Sequence, residues 1–318
     1  MRAAVVGTGW GLVHVRALRE NDVDVVALCG SPRDAERTRA VAAQERIPLA
    51  LNDPRDIHDL DVDVVTVATP AHTHLDMLEL FAGSAVICEK PVAGATGDLA
   101  RVPSATSSTF VNYAFSFLDC ARVFARALES AGPPDHVFID TAYDLPLTFT
   151  APEWFLEVAS HPLSLLVHLL GPPAVVGGST RPDPHDATEL QLRIGEVDTQ
   201  VASRHEPGLH GLRHRIRAHG PAGTLELTGG FQEGRSWRFA PVRLDGRALD
   251  AGEWSPHDVW HRANQRSIGA ALQVFRGELA PEEAGAAGLF TPSRAAVIDH
   301  CLQQALGRPL GTSSREDR

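Results

Sequence analysis

The stretch Ala3-Ala4-Val5-Val6-Gly7-Thr8-Gly9-Trp10-Gly11-Leu12-Val13-His14 decides the fold of this 318-residue chain. A short apolar run ends in a glycine-rich turn, and a helical pattern begins directly after it. Such a turn needs glycine where side chains would keep the backbone away from a pyrophosphate, whose charge then lies on the N–H groups of the helix. The third glycine comes one residue early relative to G-x-G-x-x-G. We therefore predict a dinucleotide site at Gly7 to Gly11, the alternative being a merely tight strand-to-helix turn.

Outward from this turn, short apolar runs alternate with helical patterns as far as about residue 92. The runs Val64 to Ala68 and Ala85 to Cys88 are apolar without alternation, as strands covered by helices on both faces are. Phe110 to Tyr113 adds a further short strand. Residues 1–116 are therefore predicted to form an α/β Rossmann domain with a doubly wound parallel sheet.

The second part of the chain has a different pattern. From about His136, period-two segments separated by Gly, Pro and Asp predict half-buried strands of a largely antiparallel sheet. One helix interrupts them, from about Phe155 to Leu170, and another is expected from Pro292 to Leu306. We expect residues 117–318 to form an α+β domain with a large, mostly antiparallel sheet.

Composition excludes several classes of function. A formal net charge of -11 argues against binding to nucleic acid, which needs a concentrated basic face. No apolar stretch approaches the roughly 20 residues that span a bilayer, and the N-terminus does not resemble a signal peptide, so we expect a cytoplasmic protein. The four cysteines form no Cys-x-x-Cys pair and are expected to be buried free thiols. His210 and His214 have the spacing of a helical metal pair but fall in a strand pattern, so no metal site is predicted.

The end of the second predicted strand bears on the choice of cofactor. It reads Leu28-Cys29-Gly30-Ser31-Pro32-Arg33, without the carboxylate that grips a ribose 2′-hydroxyl in NAD-binding proteins. Ser31 and Arg33 are instead suited to bond a 2′-phosphate, which favours NADP(H) over NAD(H). Alternatively, Ser31 is a plain helix N-cap followed by proline.

Three motifs together resemble the Gfo/Idh/MocA family, typified by glucose-fructose oxidoreductase and inositol dehydrogenase. They are the glycine turn, Ala68-Thr69-Pro70 followed by His74, and Cys88-Glu89-Lys90-Pro91-Val92. The resemblance covers about the first 115 residues and implies a nicotinamide-dependent oxidoreductase. It places Thr69, Pro70, His74 and Glu89 near the cofactor and points Lys90 at the nicotinamide and the reacting hydroxyl.

The composition supports the assignment of Lys90 independently, because it is the only lysine among 29 basic residues. Arginine cannot release a proton near neutral pH, whereas a partly desolvated lysine near a cationic nicotinamide can. Lys90 also follows a strand, where α/β sheets bind their ligands. The alternative is an ordinary surface charge.

The family's second catalytic element is an aspartate followed four residues later by histidine, which here corresponds to Glu157 and His161. With His168 they lie roughly along one helical face, so Glu157 is placed to orient His161 as a general base. The sequence departs from the family in having glutamate for aspartate, and the alternative is a packed or capping histidine. Asn112 and Tyr113 are weaker candidates to line the cleft.

These observations predict reversible hydride transfer between nicotinamide and the carbinol carbon of a small molecule. The resemblance implies a sugar, cyclitol or related polyhydroxylated or amino-substituted substrate. It also implies a homodimer or homotetramer, formed through the open face of the C-terminal sheet. Two alternatives remain, an NADPH-dependent imine reductase on the same scaffold and a non-catalytic NADP-binding regulator.

Overall fold

A computed structural model of the chain describes residues 1–103, 108–144, 151–180, 188–232, 237–250, 253–254 and 259–305. Two β-sheets dominate these residues, one parallel and one mostly antiparallel. Within the described ranges, no helix combines the length and apolar character needed to cross a lipid bilayer. The four cysteines are buried, as expected.

The first sheet has six parallel strands in the order β3-β2-β1-β4-β5-β6. Its strands are β1 (Arg2–Val6), β2 (Asp24–Cys29), β3 (Leu49–Leu51), β4 (Val64–Val67), β5 (Val86–Glu89) and β6 (Thr109–Asn112). The predicted doubly wound sheet is confirmed. The strand order reverses between β1 and β4, and ligands of such sheets bind beyond the carboxyl ends of the strands at this point.

Helices cover both faces of this sheet, which is why its strands are apolar without alternation. All four residues of β4 are buried. The helices are α1 (Gly11–Arg19), α2 (Ala35–Gln44) and α3 (His74–Leu80). The chain after Ser31 begins as a short 3-10 turn, Pro32–Asp34, and α2 starts beyond it, because Asp34 caps α2 by accepting a hydrogen bond from the Arg37 N–H.

The second sheet has ten strands, and its main path runs β15-β14-β12-β11-β7-β10-β9-β8. Its members are β7 (His136–Asp144), β8 (Pro173–Thr180), β9 (Thr188–Ile194), β10 (Val197–His205), β11 (Gly211–Gly220), β12 (Gly223–Gln232), β13 (Arg238–Phe239), β14 (Arg243–Leu244), β15 (Arg247–Ala248) and β16 (Glu253–Trp254). Among the described residues of this sheet, β7 and β10 pair in parallel, while the other strand pairs are antiparallel. The mostly antiparallel sheet predicted from the period-two pattern is therefore confirmed.

Four helices accompany this sheet: α4 (Asp119–Ala131), α5 (Ala151–Leu170), α6 (Val259–Phe275) and α7 (Pro292–Ala305). The sequence predicted α5 and α7 but not α4 or α6. Buried polar residues, including His261, Asn264 and Ser267, interrupt the apolar stripe by which α6 would be recognised. We propose a domain boundary near residue 116, in the 3-10 turn Ala114–Phe117. From beyond it, α6 returns to pack on α1 and β6.

The face of the second sheet opposite α5 remains partly exposed and polar. Arginine and carboxylate side chains pair across neighbouring strands there, as Arg215 does with Glu226 and Arg204 with Asp140. The alternating arginines of β11 lie on this face, while His214 between them is buried on the other.

Candidate active site

A cavity of about 940 Å³ lies at the point where the strand order of the parallel sheet reverses. One end is lined by the glycine turn, the end of β2 and the turn after β4. The other end is lined by side chains from the end of β5, α5, β11, β12 and α6. A ligand held at the glycine turn therefore extends towards residues of the second part of the chain.

The three glycines of the turn differ in what surrounds them. A Cβ on Gly7 (φ +125°) would lie 2.3 Å from the Ala68 carbonyl oxygen, and one on Gly11 would lie 3.1 Å from Val5 Cγ1. A Cβ on Gly9 would meet nothing within 4 Å. Gly9 therefore borders open space beside the start of α1. The N-cap residue Trp10 gives this helix no side-chain hydrogen bond. Gly7, Thr8, Gly9 and Trp10 of the turn line the cavity, and the turn fits a pyrophosphate placed on the helix N-terminus.

The end of β2 brings Ser31, but not Arg33, to the cavity wall. Ser31 Oγ accepts a hydrogen bond of 3.2 Å from the Arg33 N–H at the start of the 3-10 turn. Ser31 therefore both caps the 3-10 turn and lines the cavity. Arg33 is exposed beside it, and its guanidinium forms no ion pair with any residue that the structure describes.

Glu89, at the end of β5, is buried behind Lys90 and has its carboxylate fully engaged. Its oxygens accept hydrogen bonds from Asn112 Nδ2 at 2.6 Å and the Lys90 N–H at 3.2 Å, and His14 Nε2 lies 2.8 Å away. Burial acts to raise the pKa of Glu89, but His14, Lys90 and Asn112 outweigh it, so the pKa is lowered. Glu89, expected to lie near the cofactor, lines the cavity and also fixes the backbone that carries Lys90.

Lys90 reaches across the cavity to α5. Its Nζ donates hydrogen bonds to the Glu157 carboxylate and, at 3.0 Å, to the Glu157 carbonyl oxygen. The side chains of Lys90 and Glu157 are only 10% and 22% exposed. A lysine so poorly hydrated needs a nearby counter-charge. Glu157 therefore contacts Lys90, and not His161 as the sequence analysis expected.

His161, one turn after Glu157 on α5, lines the cavity and is 8% exposed. Its ring lies edge-on to Trp260, with centroids 4.9 Å apart. Burial, the Lys90 charge and His214 hold the pKa of His161 well below its usual value. Its Nδ1 has no hydrogen-bond partner among the described residues. His161 is therefore a neutral imidazole, able to accept a proton.

Of the other predicted site residues, some line the cavity and others are buried behind its lining. Thr69, Pro70 and Asn112 line the cavity. His74 is buried away from it, and its two ring nitrogens lie 2.8 Å from the carbonyl oxygens of Pro91 and Thr69. His74 thus joins the turn after β4 to the loop after Lys90.

Tyr113 and His168 are not part of the cavity wall. Tyr113 is buried, and burial together with Asp299 raises its pKa far above the usual range. His168 lies farther along α5, where burial and then Arg294 lower its pKa. Within the described part of the chain, no group of three or more His, Cys, Asp or Glu side chains is arranged to hold a metal ion.

The sequence analysis missed several residues that form or support this site. Lining residues from the second part of the chain are Val158, Leu212, Phe231, Trp237, Trp260 and Asn264. Behind the wall, Asp299 of α7 accepts a hydrogen bond of 2.8 Å from the Ala93 N–H and so fixes the loop after Lys90. Burial raises the pKa of Asp299 to about 7. No motif marks these positions, because tertiary packing alone brings them to the cavity.

Residues 1–111 match the model of an oxidoreductase family, Gfo/Idh/MocA, described as an NAD-binding Rossmann fold. Inositol 2-dehydrogenase 1 of Saccharopolyspora erythraea is 41% identical over 107 residues, which are 32% of this chain and 32% of that protein. The chain thus matches about a third of the length of this curated relative.

Two solved structures share the fold over almost the whole chain. A myo-inositol dehydrogenase from Corynebacterium glutamicum has a TM-score of 0.70 at 17% identity, covering 96% of each chain. A 3-ketoreductase from Actinomadura kijaniata, in complex with NADP and TDP-benzene, has a TM-score of 0.70 at 19% identity, covering 94% of this chain and 96% of that one. Residues 1–111 are thus similar to the NAD-binding Rossmann domain of the Gfo/Idh/MocA oxidoreductase family, and the solved structures share the fold of nearly the whole chain.

Proposed function

We propose that this chain is an NAD(P)-dependent dehydrogenase or reductase that interconverts an alcohol and a ketone on a sugar, cyclitol or related hydroxylated or amino-substituted ring. The observation that carries the proposal is that Lys90, Glu157 and His161 line one end of a cavity whose other end is the glycine turn. A nicotinamide cofactor, when bound, would supply the hydride acceptor or donor, and the protein supplies position, charge and a route for the proton. The inositol dehydrogenase relative supports this substrate class.

In the oxidation direction, the substrate loses a hydride from its carbinol carbon and a proton from its hydroxyl. Lys90 stabilises the developing alkoxide, because its ammonium is charged and little hydrated. The hydrogen bond from Lys90 Nζ to the Glu157 carbonyl oxygen places that charge beside α5. Glu157 holds the ammonium in this position and limits the cost of burying it.

His161 takes the hydroxyl proton in this proposal. The lowered pKa keeps its ring neutral near pH 7, so the acceptor form needed for alcohol oxidation is always present. The same burial and the same Lys90 charge disfavour the imidazolium, so the proton is passed on readily. In the reduction direction, hydride addition to the ketone gives an alkoxide, and His161 relays to it a proton taken up from solvent.

We further propose that NADP(H) is preferred to NAD(H). No carboxylate stands at the tip of β2, Ser31 lies on the wall, and Arg33 is exposed beside it with no ion pair among the described residues. A guanidinium so placed suits a ribose 2′-phosphate.

We also propose a cytoplasmic homodimer or homotetramer. The partly exposed polar face of the second sheet supports association, since a two-fold axis lets its arginines and carboxylates pair with those of a second copy. Burial of the widely spaced cysteines Cys29, Cys88 and Cys301 as thiols supports a reducing compartment.

A fluorescence titration with NADPH and NADH, followed by turnover assays on cyclitols, keto-sugars and cyclic imines, tests the function. We expect cofactor binding and turnover of a hydroxylated ring or its ketone. Turnover of imines alone would establish the imine reductase instead, and cofactor binding without any turnover would favour a regulator.

A matched pair of variants tests the role of His161 within the same helix. His161→Ala is expected to lower turnover by about 10²- to 10⁴-fold, the scale of a positioned proton-transfer group. His168→Ala removes a histidine that lies outside the cavity wall, so turnover should stay near that of the unmodified protein. Equal effects of the two substitutions would refute the assignment.

A further inference from the structure

Three aromatic side chains form one wall of the cavity, here called the aromatic wall: Phe231, Trp237 and Trp260. The two indoles stack with centroids 4.5 Å apart and an interplanar angle of 16°. Phe231 leans against Trp237 at 5.0 Å and 53°. The wall is assembled from β12, the segment before β13 and α6.

The aromatic wall lies directly beside the proposed catalytic residues. Trp260 contacts the His161 ring edge-on, with centroids 4.9 Å apart. Val158 and Leu212 extend the apolar surface on the same side, and both line the cavity. With Tyr143 they form a small apolar cluster separate from the main core, and Phe231 and Trp237 pack on it. A ring held for reaction at His161 therefore contacts apolar surface.

Polar groups on this side are few and mostly engaged. Among the described lining residues from beyond residue 116, only Glu157, His161 and Asn264 carry polar side-chain atoms, apart from the indole N–H groups. Asn264 Oδ1 accepts a hydrogen bond of 2.7 Å from Asn112, and its Nδ2 donates one of 2.9 Å to the Trp260 carbonyl. Glu157 is paired with Lys90.

A ring with hydroxyls around its whole circumference is poorly matched to this surface. A hydroxyl buried without a hydrogen-bond partner weakens binding, whereas a C–H or aromatic face gains from contact with an indole. On the basis of the proposed function, we propose that the substrate ring is partly deoxygenated. It lays an apolar or aromatic face on the aromatic wall and carries its hydroxyls along the edge that faces Lys90 and His161.

Matched ring compounds test this inference: trans-1,2-cyclohexanediol and 1,2-indanediol, each with two hydroxyls, against myo-inositol with six. kcat/KM is measured with saturating oxidised cofactor, and binding of each compound is measured by calorimetry on the cofactor-bound protein. We expect the diols to exceed myo-inositol by at least tenfold in kcat/KM and to bind more tightly. A preference for myo-inositol in both measurements would overturn the inference and leave the oxidoreductase proposal intact.

Variants connect that preference to the aromatic wall. Trp237 is only partly buried, so Trp237→Leu is expected to fold and to lower kcat/KM for the diols by about 3- to 30-fold, mainly through KM. Phe138→Leu is the matched control, because Phe138 lies on the opposite face of the second sheet beside Arg217. An unchanged diol preference in Trp237→Leu would refute the role of the wall. If cofactor binds but nothing is oxidised, the oxidoreductase proposal fails, and calorimetry alone decides the inference.

Discussion

Replacement of Lys90 by methionine separates the proposed chemistry from cofactor binding. Methionine approximates the length of the lysine side chain but carries no charge and no hydrogen-bond donor. The substitution removes both contacts of Nζ to Glu157, with its carboxylate and with its carbonyl. It leaves the glycine turn at the other end of the cavity unchanged.

The magnitude follows from this placement. Loss of a charge aimed at a developing alkoxide should lower kcat by about 10²- to 10⁴-fold, or roughly 3–5 kcal/mol of transition-state stabilisation. The unpaired Glu157 carboxylate is 22% exposed, so the free energy of unfolding should fall by about 1–3 kcal/mol. The Kd for the cofactor should change by less than about threefold, because Lys90 is not part of the pyrophosphate site.

Steady-state kinetics on a proven substrate, a cofactor titration and urea unfolding measure these three quantities. Lys90→Arg is the control for charge: it should restore the pairing with Glu157 and the stability. Turnover should remain at least tenfold low, because a guanidinium is bulkier and planar and does not place its charge where the compact Lys90 ammonium lies. Near-normal turnover in Lys90→Met would refute the assignment of Lys90.

Four further predictions concern the cofactor, the pH dependence and the assembly. Arg33→Ala should narrow the preference for NADPH over NADH by about 1–3 kcal/mol in fluorescence titrations, and equal affinities in the unmodified protein would contradict the cofactor proposal. The pH profile of kcat/KM for alcohol oxidation should show no acid limb near pH 6.5, because the pKa of His161 lies well below that value; a limb there would show that its ring titrates normally. Asp299 has a folded-state pKa of about 7, above the ordinary 3.8, so the unfolded chain ionises first as the pH rises from about 4 to 7. Over that window the unmodified protein should lose stability relative to Asp299→Asn, by up to roughly a few kcal/mol in urea unfolding, and a constant difference would argue against the raised pKa. Light scattering should give the mass of a dimer or tetramer, and a monomer at working concentration would exclude assembly through the second sheet.

Local sequence determined the parallel sheet and the cofactor end of the cavity. The strands β1, β4 and β5 are continuous apolar runs, and such runs need covering by helices whatever their neighbours are. The glycine turn follows β1 directly and precedes α1, so it could be recognised from adjacent residues alone. Lys90 could likewise be singled out from local sequence, because it is the only lysine of the chain and lies in the Glu-Lys-Pro motif.

Tertiary structure decided the other half of the site. The partner of Lys90 is 67 residues away in sequence, and a four-residue spacing on α5 suggested His161 as the partner of Glu157 instead. The chain separates Trp260 from His161 by about a hundred residues, and the helix that carries Trp260 has too many buried polar residues to show an apolar stripe. Spacing predicts contacts along one helix, but charge pairing and ring stacking across the cavity depend on how α5, β12 and α6 pack. The sequence therefore determined the glycine turn at which we propose that a dinucleotide binds, and only the packing of the second part of the chain decided which side chains face that turn.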